Sequence, residues 1–247
     1  MFARPALPAS IPIRLPSGRM VEAQVQARRG TRRLMVRIDP VGRGVILAVP
    51  PRTGRAVLED MGRTHAQWIE SHLHALPPPM PFTEGAVIRL RGEPVRLARR
   101  DGRGVPVLEP ALSAGEPRIL RVAASPERFA ARVEVALKTL AHTDAVEAAA
   151  RLAPLLEGPP RKVSVRDARS RWGSCTARGD IMINWRLIGA PPSVLFYVMA
   201  HELAHLKELN HSARFWAETR RLMPDYAPAR DWLKAHGSSL HALGAPA

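Results

Sequence analysis

The chain is poor in several residue types that would fix its class directly. One of its 247 residues is a cysteine, Cys175, so neither an internal disulfide nor a cysteine-built structural zinc site can form within it. A reducing compartment is the expectation. No apolar run approaches the roughly 18 residues a membrane helix needs, and Met1 to Ser10 lacks the continuous apolar stretch of a signal peptide. Cytoplasmic location and no membrane partner follow as expectations. Lysine is also scarce, with four residues (Lys138, Lys162, Lys207 and Lys234) among 37 basic ones, so the formal charge of +15 is carried by arginine. Residues 1–124 hold 20 basic and 10 acidic residues, and 125–247 hold 17 and 12, giving +10 and +5. DNA or another polyanion is therefore a candidate partner, set against a general arginine-rich composition.

What is present is enough for a core, with 46% hydrophobic residues. Residues 1–18 read as an N-terminal extension. From 19 to 122 the pattern is β-rich with one helix: strands at Met20 to Ala27, Leu34 to Ile38, Val45 to Val49, Ala86 to Leu90, Val95 to Ala98, Val105 to Leu108 and Ile119 to Val122. The helix runs from Thr53 to about His74, where His65, His72 and His74 lack the four-residue spacing of a metal pair. Leu76 to Pro81, with four prolines, is a linker or sharp crossing. Residues 123–240 form a second region, in which a long helix after Ser125-Pro126-Glu127 reaches about Leu156 with breaks near His142-Thr143-Asp144 and Pro154. Residues 241–247 read as a tail. No fixed-period repeat is evident.

Chemistry concentrates in His201-Glu202-Leu203-Ala204-His205 and in His211. On a helix, positions four apart share a face, so His201 and His205 can grip one cation while Glu202 flanks it. The segment Val194 to Ala200 is almost wholly apolar, so the helix, expected to reach Leu209, is a buried one. Two imidazoles and a carboxylate on such a helix favour a bound cation. Asn210 can take the left-handed conformation that ends a helix and swing His211 toward the metal. Ser212 then caps a further helix ended by Pro224. Three neutral histidines leave one Zn²⁺ an open position at which water is acidified. Glu202 is the expected general base.

A second unusual stretch is Arg169-Ser170-Arg171-Trp172-Gly173-Ser174-Cys175. Arg171 and Trp172 are candidates for a substrate wall or an anion contact, with ordinary packing as the alternative. The strand Ile181 to Asn184 offers an edge on which an extended peptide can be added. These residues, with Asn184-Trp185-Arg186-Leu187, Tyr197 to Leu206, Asn210-His211-Ser212, Phe215-Trp216 and Pro224-Asp225-Tyr226, resemble the YgjP-like metallopeptidase domain family, related to SprT and WLM zinc metalloproteases.

The resemblance implies an α+β, zincin-like catalytic domain with an active-site helix and a small β-sheet, preceded by the β-rich region. It also implies His201, His205 and His211 as zinc ligands, Glu202 as general base and a polypeptide substrate. Arg171, Trp172 and Asn184 are the candidate substrate-binding residues. The glycine that metzincins carry at the position of Glu208 is missing. Two other activities fit parts of the sequence: a metal-dependent nucleotide pyrophosphohydrolase, and a basic nucleic-acid-binding module with a non-catalytic zinc site. The first lacks an obvious carboxylate cluster for Mg²⁺, and the second lacks a fourth zinc ligand. Oligomeric state is not encoded in any feature of the sequence.

Overall fold

The computed structural model describes residues 7–27, 29–30 and 32–246. Their contacts form two compact units, Met1–Pro78 and Pro79–Ala247, divided within the Pro77-Pro78-Pro79 run. The sequence pattern places the division at 122–123 instead. Strands from Val87 to Ala123 belong to the second unit, because Leu97, Leu120 and Val122 share a core with Phe129, Val133 and Leu137 of the next helix.

The first unit contains β1 (Ser10–Arg14), β2 (Met20–Ala27), β3 (Met35–Asp39), β4 (Gly44–Val49), α1 (Arg55–Thr64) and α2 (Ala66–His74). The sheet order is β1-β2-β4-β3, with β2 and β4 parallel and the outer pairs antiparallel. Strand β1 lies where an extension was expected. Ile11 and Ile13 point into the core and alternate with exposed neighbours, and an edge strand accommodates Pro12. The expected single helix is two, broken at His65, whose ring Nδ1 lies 2.9 Å from the carbonyl of Met61. The helices close the core over Leu47 and Val49 through Leu58 and Ile69.

In the second unit, β5 (Val87–Leu90), β6 (Glu93–Arg100), β7 (Val107–Glu109) and β8 (Arg118–Ala123) form a sheet of order β5-β6-β8-β7. Its central pair is again parallel and its outer pairs antiparallel, so the two sheets share one topology that no sequence period announces. Helix α3 (Phe129–Leu152) comes next and is continuous through 142–144, where a break was expected. There the Thr143 hydroxyl donates to the Thr139 carbonyl one turn back, and the Asp144 carboxylate is engaged by Arg91, so neither side chain competes for a backbone donor.

The chain continues through β9 (Lys162–Arg166), β10 (Gly173–Cys175) and β11 (Asp180–Asn184), in order β10-β11-β9, then α4 (Pro192–Ala204), α5 (Ala213–Leu222) and α6 (Tyr226–Leu240). The described residues thus form a mixed α+β arrangement of six α-helices and three small sheets. Alanines 145, 148 and 149 of α3 let α4 pack closely on it. Residues read as a tail are built in: Ala242, Leu243 and Ala245 are buried, and Met80 exchanges backbone hydrogen bonds with Ala242 and Gly244. Among the described residues, no helix is long and apolar enough to cross a membrane.

Candidate functional site

Helix α4 starts on Pro192, whose missing N–H is harmless in a first turn, and is buried on nearly all sides by α3, α5, α6 and β10. His201 and Glu202 lie in its last turn. It ends at Ala204, five residues earlier than expected, with His205 as its helical C-cap. The chain turns there because the next amides, Lys207 and Glu208, fold back on the Ala204 carbonyl, and His205 Nδ1 reaches the Glu208 carbonyl at 3.0 Å. Asn210 is not left-handed; among the described non-glycine residues only Arg43 and Arg91 are. Instead the Ser212 amide donates to the Asn210 carbonyl at 2.7 Å, a three-residue turn with His211 at its centre. Ser212 caps α5 as expected, accepting from the Phe215 amide.

These turns bring the three histidines together. Their ring centroids are 4.9–5.1 Å apart, and one ligating atom from each fits within a span of 4.8 Å. The Nε2 atoms of His201 and His211 approach to 3.1 Å. Wholly buried Phe215 forms the floor, with its ring 4.6–4.8 Å from all three. Burial, with His205 and His211 nearby, holds His201 down at about 4, so it is a neutral donor at neutral pH. The Nδ1–H of His205 donates to the Glu208 carbonyl and so turns Nε2 toward the cluster. Three imidazole donors gathered this closely could hold a metal ion. His201 Nδ1 is buried without a hydrogen-bond partner, unlike the Nδ1 of His205.

Glu202 is 6% exposed, and burial pushes its carboxyl up to about 7, opposed by the charge of Arg171. The backbone of Gly173 lies against it. A Cβ at that position would stand 2.4 Å from Oε1 and 2.6 Å from Cγ. Gly173 is the close neighbour of Glu202 that sequence reasoning missed, and the only available signal was a glycine inside the Trp172-Gly173-Ser174 run.

Of the candidate substrate residues, Arg171 is exposed beside Glu202. Trp172 stacks on His241 at 4.6 Å and packs against Gly237, so it fills space beneath α6. Asn184 is completely buried. Its amide donates to the carbonyls of Ala168 and Arg171, and its oxygen accepts from the Arg186 amide. Asn184 therefore holds the loop that presents Arg171 and has no surface with which to meet a substrate. Strand β11 is interior, between β10 and β9, which removes the edge expected at Ile181 to Asn184. The edge beside Glu202 is β10. Cys175 lies outside the histidine cluster and donates to the Thr176 carbonyl; burial, Glu202 and Asp180 push its thiol up to about 11. The wall beside the histidines is aromatic, with Tyr197 edge-on to His201 and Tyr226 stacked between Tyr197 and Trp216.

Comparison with known proteins adds a family. The model of the YgjP-like metallopeptidase domain family matches residues 32–236. Among solved structures, the crystal structure of the metallopeptidase zymogen of Pyrococcus abyssi abylysin is similar at 24% identity, over 40% of this chain and 94% of that one, with a TM-score of 0.33. No curated protein matches.

Proposed function

Because the chain belongs to the YgjP-like metallopeptidase domain family, we propose that it is a zincin-type metallopeptidase that uses one zinc ion and Glu202 as general base. The observation that carries this reading is the convergence of His201, His205 and His211 within 4.8 Å, with Glu202 next to His201 in the last turn of α4. Zinc held by these three histidines would supply Lewis acidity, acidifying a water and polarising the scissile carbonyl.

The remaining roles belong to the chain's own groups. Glu202, with a carboxyl value of about 7, is suited both to accept a proton from water and to return it to the leaving amine. Arg171 favours the ionised carboxylate that must act first. Phe215 packs against all three imidazoles, and Gly173 leaves free the space that the Glu202 carboxylate occupies.

A polypeptide fits the free edge of β10. The Asn184 amide donates to the Trp172 carbonyl and the Thr176 amide to the Asp180 carbonyl, so Trp172, Ser174 and Thr176 are the residues bonded to β11. By alternation, the amides and carbonyls of Gly173 and Cys175 point away from it, and no described strand pairs with that side. An extended substrate added there would pass directly beside Glu202.

The test offers the zinc-loaded protein a disordered polypeptide and, separately, a nucleoside triphosphate, with Glu202→Gln as control. Expected are peptide cleavage that a chelator abolishes and zinc restores, and a loss on the order of 10²-fold to 10⁴-fold in the variant with zinc still bound. Pyrophosphate release without peptide cleavage would overturn the reading.

A further inference from the structure

The two sheets of like topology treat their arginines differently. In the second, Arg96 pairs with Glu116, Arg99 with Asp101 and Glu84, and Arg121 with Glu109 through two hydrogen bonds. In the first unit, residues 23–58 hold eight arginines and one acidic residue, Asp39, and of the eight Arg55 pairs with Glu59.

The topology gathers most of that charge at one end. Strands β2 and β4 run parallel with Ala27 opposite Val49, and β3 begins with Met35 opposite Ala48. The β2–β3 connection, with Arg29, Arg32 and Arg33, and the β4–α1 connection, with Arg52, therefore leave the sheet side by side. Neighbouring strands are about 5 Å apart, so the two connections start from adjacent strand ends and carry their arginines at the same end of the sheet. All four are exposed, and none has an acidic partner among the described residues. Asp39 lies at the opposite end, at the far terminus of β3.

Unpaired like charges at one end of a sheet repel one another and favour a polyanion with evenly spaced charge. No phenylalanine, tyrosine or tryptophan occurs from Ala3 to Gln67, so the surface offers no platform on which unstacked bases could lie. That favours the phosphate backbone of a duplex, contacted without reading its sequence.

We propose that the arginine-bearing end of the first sheet, Arg29, Arg32, Arg33 and Arg52, is a docking surface for the phosphate backbone of duplex nucleic acid. It requires neither zinc nor Glu202, so it can stand or fall separately from the peptidase reading.

The experiment uses the full chain carrying Glu202→Gln and a fluorescent random-sequence duplex DNA, with anisotropy followed over a salt series. Expected is binding that weakens as salt rises, with the slope of log K against log salt falling by about 0.9 for each phosphate no longer neutralised. Arg32→Ala with Arg33→Ala and Arg52→Ala should weaken binding at low salt at least tenfold and flatten the slope by the equivalent of about three phosphates, with thermal unfolding unchanged. A control with Arg96→Ala and Arg121→Ala should leave the slope as it was. The proposal is overturned by absence of duplex binding at about 50 mM salt, by equal slopes in the triple variant and its parent, or by stronger retention on anionic lipid vesicles that duplex cannot compete away.

Discussion

Gly173 lies so close to Glu202 that a methyl group on the glycine would overlap the carboxylate, at 2.4 Å from Oε1 and 2.7 Å from Cδ. The backbone of Gly173 and the Glu202 side chain thus define each other's place. Gly173→Ala should displace the carboxylate while leaving the three histidines where they are. Peptidase kcat is expected to fall on the order of 10²-fold, with zinc stoichiometry unchanged, as read by turnover and metal analysis on one sample. Retention of full kcat would show that the glycine does not set the position of the base.

Asn184 commits its whole side chain to the loop before β10. Asn184→Ala leaves two loop carbonyls and the Arg186 amide without partners, at an expected cost of about 1–3 kcal/mol. Asn184→Asp keeps the shape but turns an acceptor toward those carbonyls, so it should destabilise at least as much at pH 7. Urea midpoints of the two variants provide the check, and a stable Asp variant would contradict the assigned hydrogen bonds.

In the metal-free protein, two buried groups should pull the pH dependence of stability in opposite directions. His201 is held at about 4 against an ordinary 6.5, so the folded state binds fewer protons between those values and stability rises with pH there. Glu202 is raised to about 7 from 4.5, so the folded state binds more protons and stability falls as pH rises through that window. Between about pH 4.5 and 6.5 the two slopes largely cancel. Glu202→Gln removes the falling one, and the variant should gain stability relative to the parent by up to about 1.4 kcal/mol per pH unit. Parallel urea midpoints for the two proteins from about pH 5 to about 6.5 would refute this.

Phe215 touches all three imidazoles from below. Phe215→Ala should lose about 3–5 kcal/mol of stability and also raise the zinc Kd about tenfold or more, because the ligands lose the surface that holds them apart. Competition with a chromogenic chelator measures the second effect. Phe215→Leu, which keeps the site filled, should recover most of the stability and thereby separate the two losses.

Wherever side-chain periodicity or a cap decided the outcome, the sequence was readable. The strands of the two N-terminal sheets from Met20 onward, the buried character of α4, the Ser212 cap and the grouping of His201, His205 and His211 all follow from local pattern, whereas β10 lies in a stretch that reads as a loop. The features that escaped were set by distant contacts. Strand β1 carries a proline and is tolerated at an edge only because Ile11 and Ile13 find a core. The position of Gly173 against Glu202 depends on strand order, and so does the interior place of β11. The end of α4 was misjudged because a side chain, His205, draws the chain back to the Glu208 carbonyl without any left-handed residue.

That same turn joins two helices through a short exposed stretch, in which Leu209 is 76% exposed and Asn210 and His211 face solvent. Two of the three histidines precede the stretch and one, His211, lies within it, just before α5. A cation bound by all three would cross-link α4 to the start of α5 and close a loop that otherwise rests on a few backbone hydrogen bonds. Metal loading should therefore be readable as a mechanical property of the chain. Leu206 to Ser212 would be open to a probing protease and to rapid amide exchange when empty, and closed to both once the ion is in place.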